Sequence, residues 1–354
     1  MANYALSVLN TGQAKFNALY STPEQRRKVP TVFELALKNQ SISIPNAQEL
    51  RKSPLRPVEV YYPKAIAAGS ATAKSYNHTG AIGDSGSASI TYVQTVETFS
   101  LPQKLAFNNF LSYQEMFNNQ YEQACKNLRT RQDTAALSFL KTYRNQLSAA
   151  VMTPRLASAN PGTWNETNYA LEISDANRKL FLSKAKSAMA ASYYMGQYDV
   201  VTDLQLASAF NDYMNQGAGN QANLNWQFDN VGFAVTQDVI DSNYSEGASL
   251  WLPKGMFAGL YWNEGLNKQG LIHPDLGGSI GMIGTTADPL GSGCVFDISM
   301  YTQRANTSAD TTGGSTQDFV DQWEITATIG YVIPPLTLAL DSVVMEIAQN
   351  AAVS

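Results

Sequence analysis

The clearest hydrophobic pattern in the 354-residue chain predicts a long amphipathic helix within residues 99–149. Ser100 is a suitable N-cap for this helix, and Pro102 suits its first turn. The polar residues 130–133 interrupt the apolar stripe and predict a bend or a boundary between two helices. The apolar positions recur at helical spacing and are Tyr113, Phe117, Tyr121, Ala124 and Leu128, followed by Ala136, Leu140, Tyr143 and Leu147.

Residues 58–98, before this helix, have the pattern of two strands joined by a long excursion. Residues 58–62 are β-forming, and alternation within residues 90–99 predicts the second strand. The residues between them are rich in Gly, Ser and Ala and carry almost no charge. A connection of this length without a core of its own is usually functional or disordered. We therefore expect a neighbouring molecule to hold it.

Residues 1–57 are predicted to form an N-terminal arm of short helical pieces. One piece begins at Thr31, where Glu34 has the spacing of a capping box. Such a segment buries little surface by itself, so it needs the body or a neighbour to pack against. The prolines that break it are Pro23, Pro30, Pro45, Pro54 and Pro57.

The remainder of the chain mixes helices and short strands without regular βαβ alternation, which predicts the α+β class. Helices are expected at residues 174–194 and 203–215. Residues 302–318 are predicted to be a polar connection. The expected strands include residues 231–235, 248–253, 323–335 and part of 336–347.

Composition favours a protein that contacts other proteins over much of its surface. Only 15% of the residues are charged, and charged side chains are depleted at the centres of interfaces. The net charge is −5, yet residues 1–57 contain eight Lys or Arg and three Glu, a local charge of +5 that leaves −10 elsewhere. This arm is either a solvated segment paired with acidic neighbours or a surface that faces packaged DNA or an acidic subunit.

Candidate chemistry is sparse, and we predict neither an enzyme nor a metal or cofactor site. His78 and His273 have no second histidine or carboxylate at ligand spacing, and Cys125 and Cys294 form no CxxC motif. Residues 83–86 match the Gly-Asp-Ser-Gly tetrapeptide of trypsin-like proteases, but no base accompanies the serine. Glycines at 278, 281 and 284 lack the spacing of a dinucleotide or phosphate loop and are better explained by tight turns.

The order of the segments resembles that of tailed-bacteriophage major capsid proteins with the Hong Kong 97-like fold. Residues 58–99 correspond to the extended loop of that family, residues 101–147 to its spine helix, and residues 321–336 to a strand of its peripheral domain. The resemblance covers essentially the whole chain. It depends on order and proportion and includes no short diagnostic motif.

This resemblance implies an α+β, Hong Kong 97-like division of the chain. Residues 1–57 would be the N-terminal arm and residues 58–98 the extended β-hairpin loop, or E-loop. Residues 99–169 with 320–354 would form the peripheral domain with the spine helix, and residues 170–319 the axial domain. The implied function is assembly into pentamers and hexamers of an icosahedral head that encloses double-stranded DNA.

The resemblance also implies partners and a location. The partners would be copies of the chain itself, together with minor capsid, portal and scaffold proteins and weak non-specific contact with packaged DNA. No charged coiled coil precedes the arm, so we expect a separate scaffold or none, and no N-terminal cleavage. The candidate inter-subunit contacts are Lys64, Tyr76, Ile82 and Tyr92 in the loop and Arg26, Arg27 and Lys28 in the arm.

The expected location is the virion, after synthesis in the cytoplasm of a bacterial host. The N-terminal residues lack the pattern of a signal peptide, and no apolar run is long enough to span a membrane. Two other shell-forming classes remain open: an encapsulin-like nanocompartment protein, and a virion protein of a jelly-roll fold. The predicted long helix disfavours the second.

Overall fold

The structure, a computed structural model, mixes helices and sheets. Its helices are α1 (Ala2–Leu19), α2 (Val32–Lys38), α3 (Ala47–Leu50), α4 (Tyr113–Thr142), α5 (Ala149–Leu156) and α6 (Phe181–Ala191). The residues that it describes are 2–19, 31–39, 44, 47–51, 58–63, 85–103, 113–174, 177, 180–192, 194, 196–207, 231–263, 281–307, 316–333 and 341–350.

The strands form three sheets. β1 and β2 form an antiparallel hairpin, five strands form a second sheet in the order β10-β11-β12-β3 with β9 beside β12, and six form a third in the order β4-β5-β13-β8-β6-β7. In chain order the strands are β1 (Val58–Pro63), β2 (Ser85–Ile90), β3 (Tyr92–Pro102), β4 (Thr163–Asn165), β5 (Ala170–Ser174), β6 (Tyr198–Thr202), β7 (Val231–Val235), β8 (Ala248–Pro253), β9 (Ala258–Trp262), β10 (Gly281–Ala287), β11 (Val295–Thr307), β12 (Thr316–Val332) and β13 (Met345–Asn350).

The five-stranded sheet is organised around β12, which spans 17 residues and pairs with β3, β9 and β11, each antiparallel. The prediction of a polar connection at residues 302–318 is wrong at both ends. Residues 302–307 continue β11, and residues 316–318 begin β12, so these polar residues extend a long hairpin. Gly281 and Gly284, predicted to lie in turns, are also strand residues, because β10 pairs with β11.

The six-stranded sheet places the C-terminal strand β13 between β5 and β8. The predictions of strands at residues 231–235 and 248–253 are confirmed by β7 and β8. The last strand lies slightly later than predicted, and α6 occupies only the middle of the predicted helix 174–194. Residues 204–207 of the predicted helix 203–215 are helical, and residues 208–215 lie outside the described part of the chain.

The long helix α4 begins later than predicted. Residues 92–102 form β3, in which Ser100 lies opposite Gln322 of β12 and therefore caps no helix. Phe99 and Leu101 are buried while Ser100 is exposed, a period of two that identifies a strand. The predicted interruption at residues 130–133 is also wrong, because α4 continues through these residues for a total of 30 residues.

The predicted division into domains does not coincide with the sheets. β11, from the predicted axial segment, pairs with β12, from the predicted peripheral segment. β13, predicted to be peripheral, pairs with β8, predicted to be axial. The division at residues 169/170 and 319/320 therefore stays a prediction.

The described part of the arm packs against the body of its own chain. α2 begins after Thr31, as predicted, and the Glu34 carboxylate accepts a 2.9 Å hydrogen bond from the Thr31 backbone N–H. Phe33 and Ala36 of α2 are fully buried. This helix lies against α4 and β9, so the middle of the arm is part of the core.

Candidate functional site: the junction of arm, hairpin and sheet

The β1–β2 hairpin is connected to the five-stranded sheet where β2 ends at Ile90 and β3 begins at Tyr92. Its register runs from Val58 opposite Ile90 to Pro63 opposite Ser85, and within the described residues no third strand joins it. The predicted excursion is thus a hairpin, but its second strand was predicted wrongly. β2 lies at residues 85–90, within the expected connection, whereas residues 92–99 belong to β3 of the larger sheet.

The base of the hairpin is fixed by a small apolar cluster, which we call the hairpin junction. Ile90 is fully buried in this cluster, and Gly330 of β12 lies directly beneath it. A β-carbon at Gly330 would come within 2.3 Å of the Ile90 Cγ2 atom, so only glycine leaves room for the isoleucine. The buried residues of the hairpin junction are Ile44, Ile90, Ala258, Leu260 and Val332.

The arm is attached at the same junction. Ile44 is buried there, and Ala47 and Leu50 of α3 pack against the cluster. Beside them, the Arg51 guanidinium carbon lies 3.8 Å from the centroid of the Tyr261 ring on β9, a close cation–π contact. The C-terminal part of the arm and the base of the hairpin are therefore anchored at one position.

Tyr92 is the one predicted contact residue within the described part of the chain. Its ring packs against the hairpin junction, and its hydroxyl is buried without a hydrogen-bond partner among the described residues. This burial raises the pKa of Tyr92 to about 12. The other candidates lie outside the described residues: Lys64, Tyr76, Ile82, Arg26, Arg27 and Lys28.

Tyr61, which was not among the predicted contact residues, presents a large aromatic surface on the hairpin. Tyr61 is 71% exposed, and its hydroxyl donates a 3.2 Å hydrogen bond to the carboxylate of Glu59, two residues away on the same face. The spacing of two along β1 places Glu59 and Tyr61 on one face of the strand, but it does not tell which face is exposed. Ser87 lies directly opposite Tyr61 on β2 and is also exposed.

A buried polar network joins α4 to the sheet beneath it. The Gln132 amide donates to the Thr95 hydroxyl at 2.9 Å and to the Ala327 carbonyl at 3.1 Å, and its oxygen accepts from the Tyr331 hydroxyl at 3.0 Å. These bonds connect the helix to β3 and β12. The polar residues that predicted a bend are therefore the ones that fix the helix on the sheet.

Two further side chains of α4 hold the arm. Asp133 accepts a 2.7 Å hydrogen bond from the Val32 backbone N–H and a 3.2 Å bond from the Thr236 hydroxyl. Arg129 forms ion pairs with Glu34 and, at 3.6 Å, with Asp288. Since Asp133 reaches the first turn of α2, where backbone N–H groups lack intrahelical acceptors, it caps that helix from outside.

The six-stranded sheet contains one strongly perturbed carboxyl group. Glu346 is completely buried, and one of its oxygens lies 2.6 Å from an Arg144 nitrogen. Burial outweighs this attraction and, with the nearby Asp241, raises the pKa of Glu346 to about 8. The thiols of Cys125 and Cys294 are buried as well, which raises the pKa of each.

The described residues include no cluster of three or more His, Cys, Asp or Glu side chains placed to hold a metal ion. His78 and His273 are outside that part of the chain. None of the described helices is both long and apolar enough to span a membrane.

No protein-family model and no curated protein sequence matches the chain, whereas solved structures resemble it over most of its length. A structure from Mycobacterium phage Che8 is 11% identical, with a TM-score of 0.47, and the similarity covers 92% of this chain and 93% of that one. The cyanophage Pam1 capsid asymmetric unit is 10% identical, with a TM-score of 0.46, and the similarity covers 87% of this chain and 88% of that one. The asymmetric unit of the bacteriophage PhiM1 mature capsid is 8% identical, with a TM-score of 0.37, and the similarity covers 82% of this chain and 81% of that one. The chain is thus similar to chains of phage structures that include two capsid asymmetric units.

Proposed function

We propose that this chain is a major capsid protein of a tailed bacteriophage. It assembles into pentamers and hexamers of an icosahedral head that encloses double-stranded DNA, and its role is structural, without catalysis. The observation that carries this proposal is the β1–β2 hairpin, which leaves the body at the hairpin junction. A lone two-stranded hairpin is marginally stable in water, so a neighbouring subunit is the natural surface to stabilise it.

In this proposal the hairpin is the E-loop of the Hong Kong 97-like fold, and α4 is its spine helix. The 30-residue helix lies across β3 and β12, and the Gln132 network fixes it there. A jelly-roll protein is built from two packed sheets, so a 30-residue helix fixed on a sheet argues against that fold. The helix and its sheet supply a rigid frame against which the described part of the arm packs and from which the hairpin extends.

The remaining parts have proposed roles in the shell. Residues 99–169 and 320–354 form the peripheral domain, and residues 170–319 form the axial domain around capsomer centres. The arm is anchored by α2 and Arg51, and its basic residues Arg26, Arg27 and Lys28 face packaged DNA or an acidic neighbour. Closed symmetry multiplies modest contacts between copies into a stable container.

The proposal is tested by removing the tip of the hairpin while keeping its base. Pro63 and Ser85 are directly opposite each other, so an Asn-Gly turn can replace residues 64–84 and close the hairpin. We expect a variant that folds, as measured by circular dichroism and urea unfolding, but no longer forms shells in negative-stain micrographs. A variant with a scrambled tip of the same length and composition distinguishes a need for specific tip residues from a need for reach. Normal shells from the shortened variant would refute the proposed role of the hairpin.

A further inference from the structure

A groove runs along the C-terminal turns of α4. Its volume is about 470 Å³. The loop between β7 and β8 forms its opposite wall. The lining includes Thr134, Leu137, Ser138 and Lys141 from the helix, and Asp238 and Val239 from the loop.

The two walls of the groove are fixed relative to each other. The Thr134 hydroxyl donates a 2.6 Å hydrogen bond to the Asp238 carboxylate, which ties the loop to the helix. Leu137 is 4% exposed and belongs to the hydrophobic core, so it forms a firm apolar floor. Val239 on the rim is 52% exposed, and apart from Val239 and Leu137 the residues that line the groove are polar or charged.

The groove also contains a cation that is available for pairing. The Arg144 guanidinium is occupied by Glu346 at 2.6 Å. Lys141, one turn beyond Leu137, has no ion pair or side-chain hydrogen bond with any residue in the described part of the chain. The groove therefore suits an aromatic side chain that carries a polar group, with a carboxylate beside it.

The exposed face of the hairpin presents an aromatic side chain with a carboxylate beside it. Tyr61 is the most exposed of the large hydrophobic side chains described, and its hydrogen bond to Glu59 keeps both side chains together. Residues two apart on a strand are separated by about 6.8 Å. Residues four apart on a helix, such as Leu137 and Lys141, are separated along the axis by about 6 Å. Tyr61 and Glu59 of the hairpin can therefore lie opposite Leu137 and Lys141 of the helix.

We propose that this groove receives Tyr61 from the hairpin of a second copy of the chain, with Glu59 of that copy pairing with Lys141. The inference rests on the proposed function, since it identifies where the hairpin binds its neighbour. Tyrosine is typical of the few residues that dominate an interface, because its ring buries apolar area while its hydroxyl can stay among polar groups. The Glu59–Lys141 pair sets the register and excludes like-charged alternatives.

Cross-linking tests the contact without removing its anchor. Ser87→Cys places a thiol beside Tyr61 on the same face of the hairpin, and Val239→Cys places one on the rim of the groove. We expect a short bis-maleimide reagent to link assembled double-variant subunits into covalent chains on denaturing gels. The matched control combines Phe319→Cys with Val239→Cys, since Phe319 is also an exposed aromatic residue, at 55%, and we expect it to stay unlinked.

Charge exchange supplies a second measurement. We expect Glu59→Lys and Lys141→Glu each to weaken subunit association about tenfold or more, and the combined variant to recover most of it. Shells that form normally but show no selective cross-link, together with normal assembly of both single variants, would overturn the groove contact and leave the capsid proposal standing. Failure of the unmodified protein to form shells under any condition would overturn both.

Discussion

Ile90 at the end of the hairpin lies directly over Gly330 of the longest strand, closer than any side chain at residue 330 would allow. A β-carbon there would be 2.3 Å from the isoleucine Cγ2 atom. Because Ile90 is fully buried in the hairpin junction, it cannot move aside without exposing apolar surface. The direction in which the hairpin leaves the body is thus set by the absence of a side chain on β12.

The first prediction is that Gly330→Ala destabilises the subunit by about 1–3 kcal/mol, as overpacking in a core does. The added methyl group must displace Ile90 and the base of the hairpin. Urea unfolding of unassembled protein measures the loss. We further expect fewer complete shells, since the hairpin would leave at a different angle.

Gly284→Ala is the matched control, because Gly284 lies in β10 of the same sheet and a β-carbon there meets nothing within 4 Å. We expect this change to alter the free energy of unfolding by less than about 1 kcal/mol, in the stabilising direction through reduced chain entropy. Equal losses at the two glycines would mean that strand conformation, and not the contact with Ile90, requires Gly330.

The second prediction concerns the capping of α2 by α4. Asp133→Ala leaves the Val32 backbone N–H without its buried acceptor, which costs about 1–3 kcal/mol of stability. Asp133→Asn retains an acceptor oxygen and should lose less. Thr130→Ala, at an exposed position on the same helix, should change stability by less than about 0.5 kcal/mol. Equal unfolding curves for Asp133→Ala and Thr130→Ala would contradict this account.

The third prediction follows from the pKa of Glu346, raised by burial from 4.5 to about 8. Between these pH values the folded protein keeps a proton that the unfolded chain releases. The free energy of unfolding attributable to this group therefore falls as the pH rises from about 4.5 to 8, by at most about 1.4 kcal/mol per pH unit, and then levels off. Urea unfolding at a series of pH values measures this slope.

Glu346→Gln serves as the control for this titration, because its neutral amide is similar in shape and cannot lose the proton. The difference between the two stability profiles isolates Glu346 from every other titrating group. We expect the variant to lack the decline between pH 4.5 and 8 that Glu346 contributes. Parallel profiles would show that Glu346 keeps an ordinary pKa, held down by Arg144.

The fourth prediction concerns the basic arm. If Arg26, Arg27 and Lys28 bind packaged DNA, changing all three to Gln should reduce the salt dependence of DNA retention. The slope of log affinity against log salt changes by about 0.9 for each phosphate that the arm no longer neutralises. An unchanged slope would favour the other interpretation of the arm, a solvated segment paired with acidic neighbours.

Local patterns in the sequence predicted the elements that bury a periodic face. The helical stripe from Tyr113 to Leu140, the strands β7 and β8 and the start of α2 at Thr31 were predicted because each has its own spacing or cap. The errors arose where long-range pairing decides the structure. Ser100 and Pro102 fit a helix start, but the pairing of β3 with β12 makes them strand residues.

The strand β2 is a second element that depends on pairing with a distant strand and not on its own sequence pattern. Residues 85–89 are small, polar or glycine, with little β-forming tendency, and they form a strand because β1 lies beside them. Gln132 and Asp133 interrupt the apolar stripe of α4, and only the positions of Thr95, Tyr331 and Val32 explain why they are buried. Tyr61 was missed since exposure cannot be predicted when the neighbouring strand is unknown.

Under the proposed function, copies of this chain form a closed shell. Negative-stain microscopy and sedimentation of the purified chain over a range of concentrations distinguish a shell from a monomer. We predict rings of five and six subunits and closed particles, with the subunit depleted as concentration rises. A protein that stays monomeric and monodisperse at the highest attainable concentration, with and without scaffold protein, would contradict the claim.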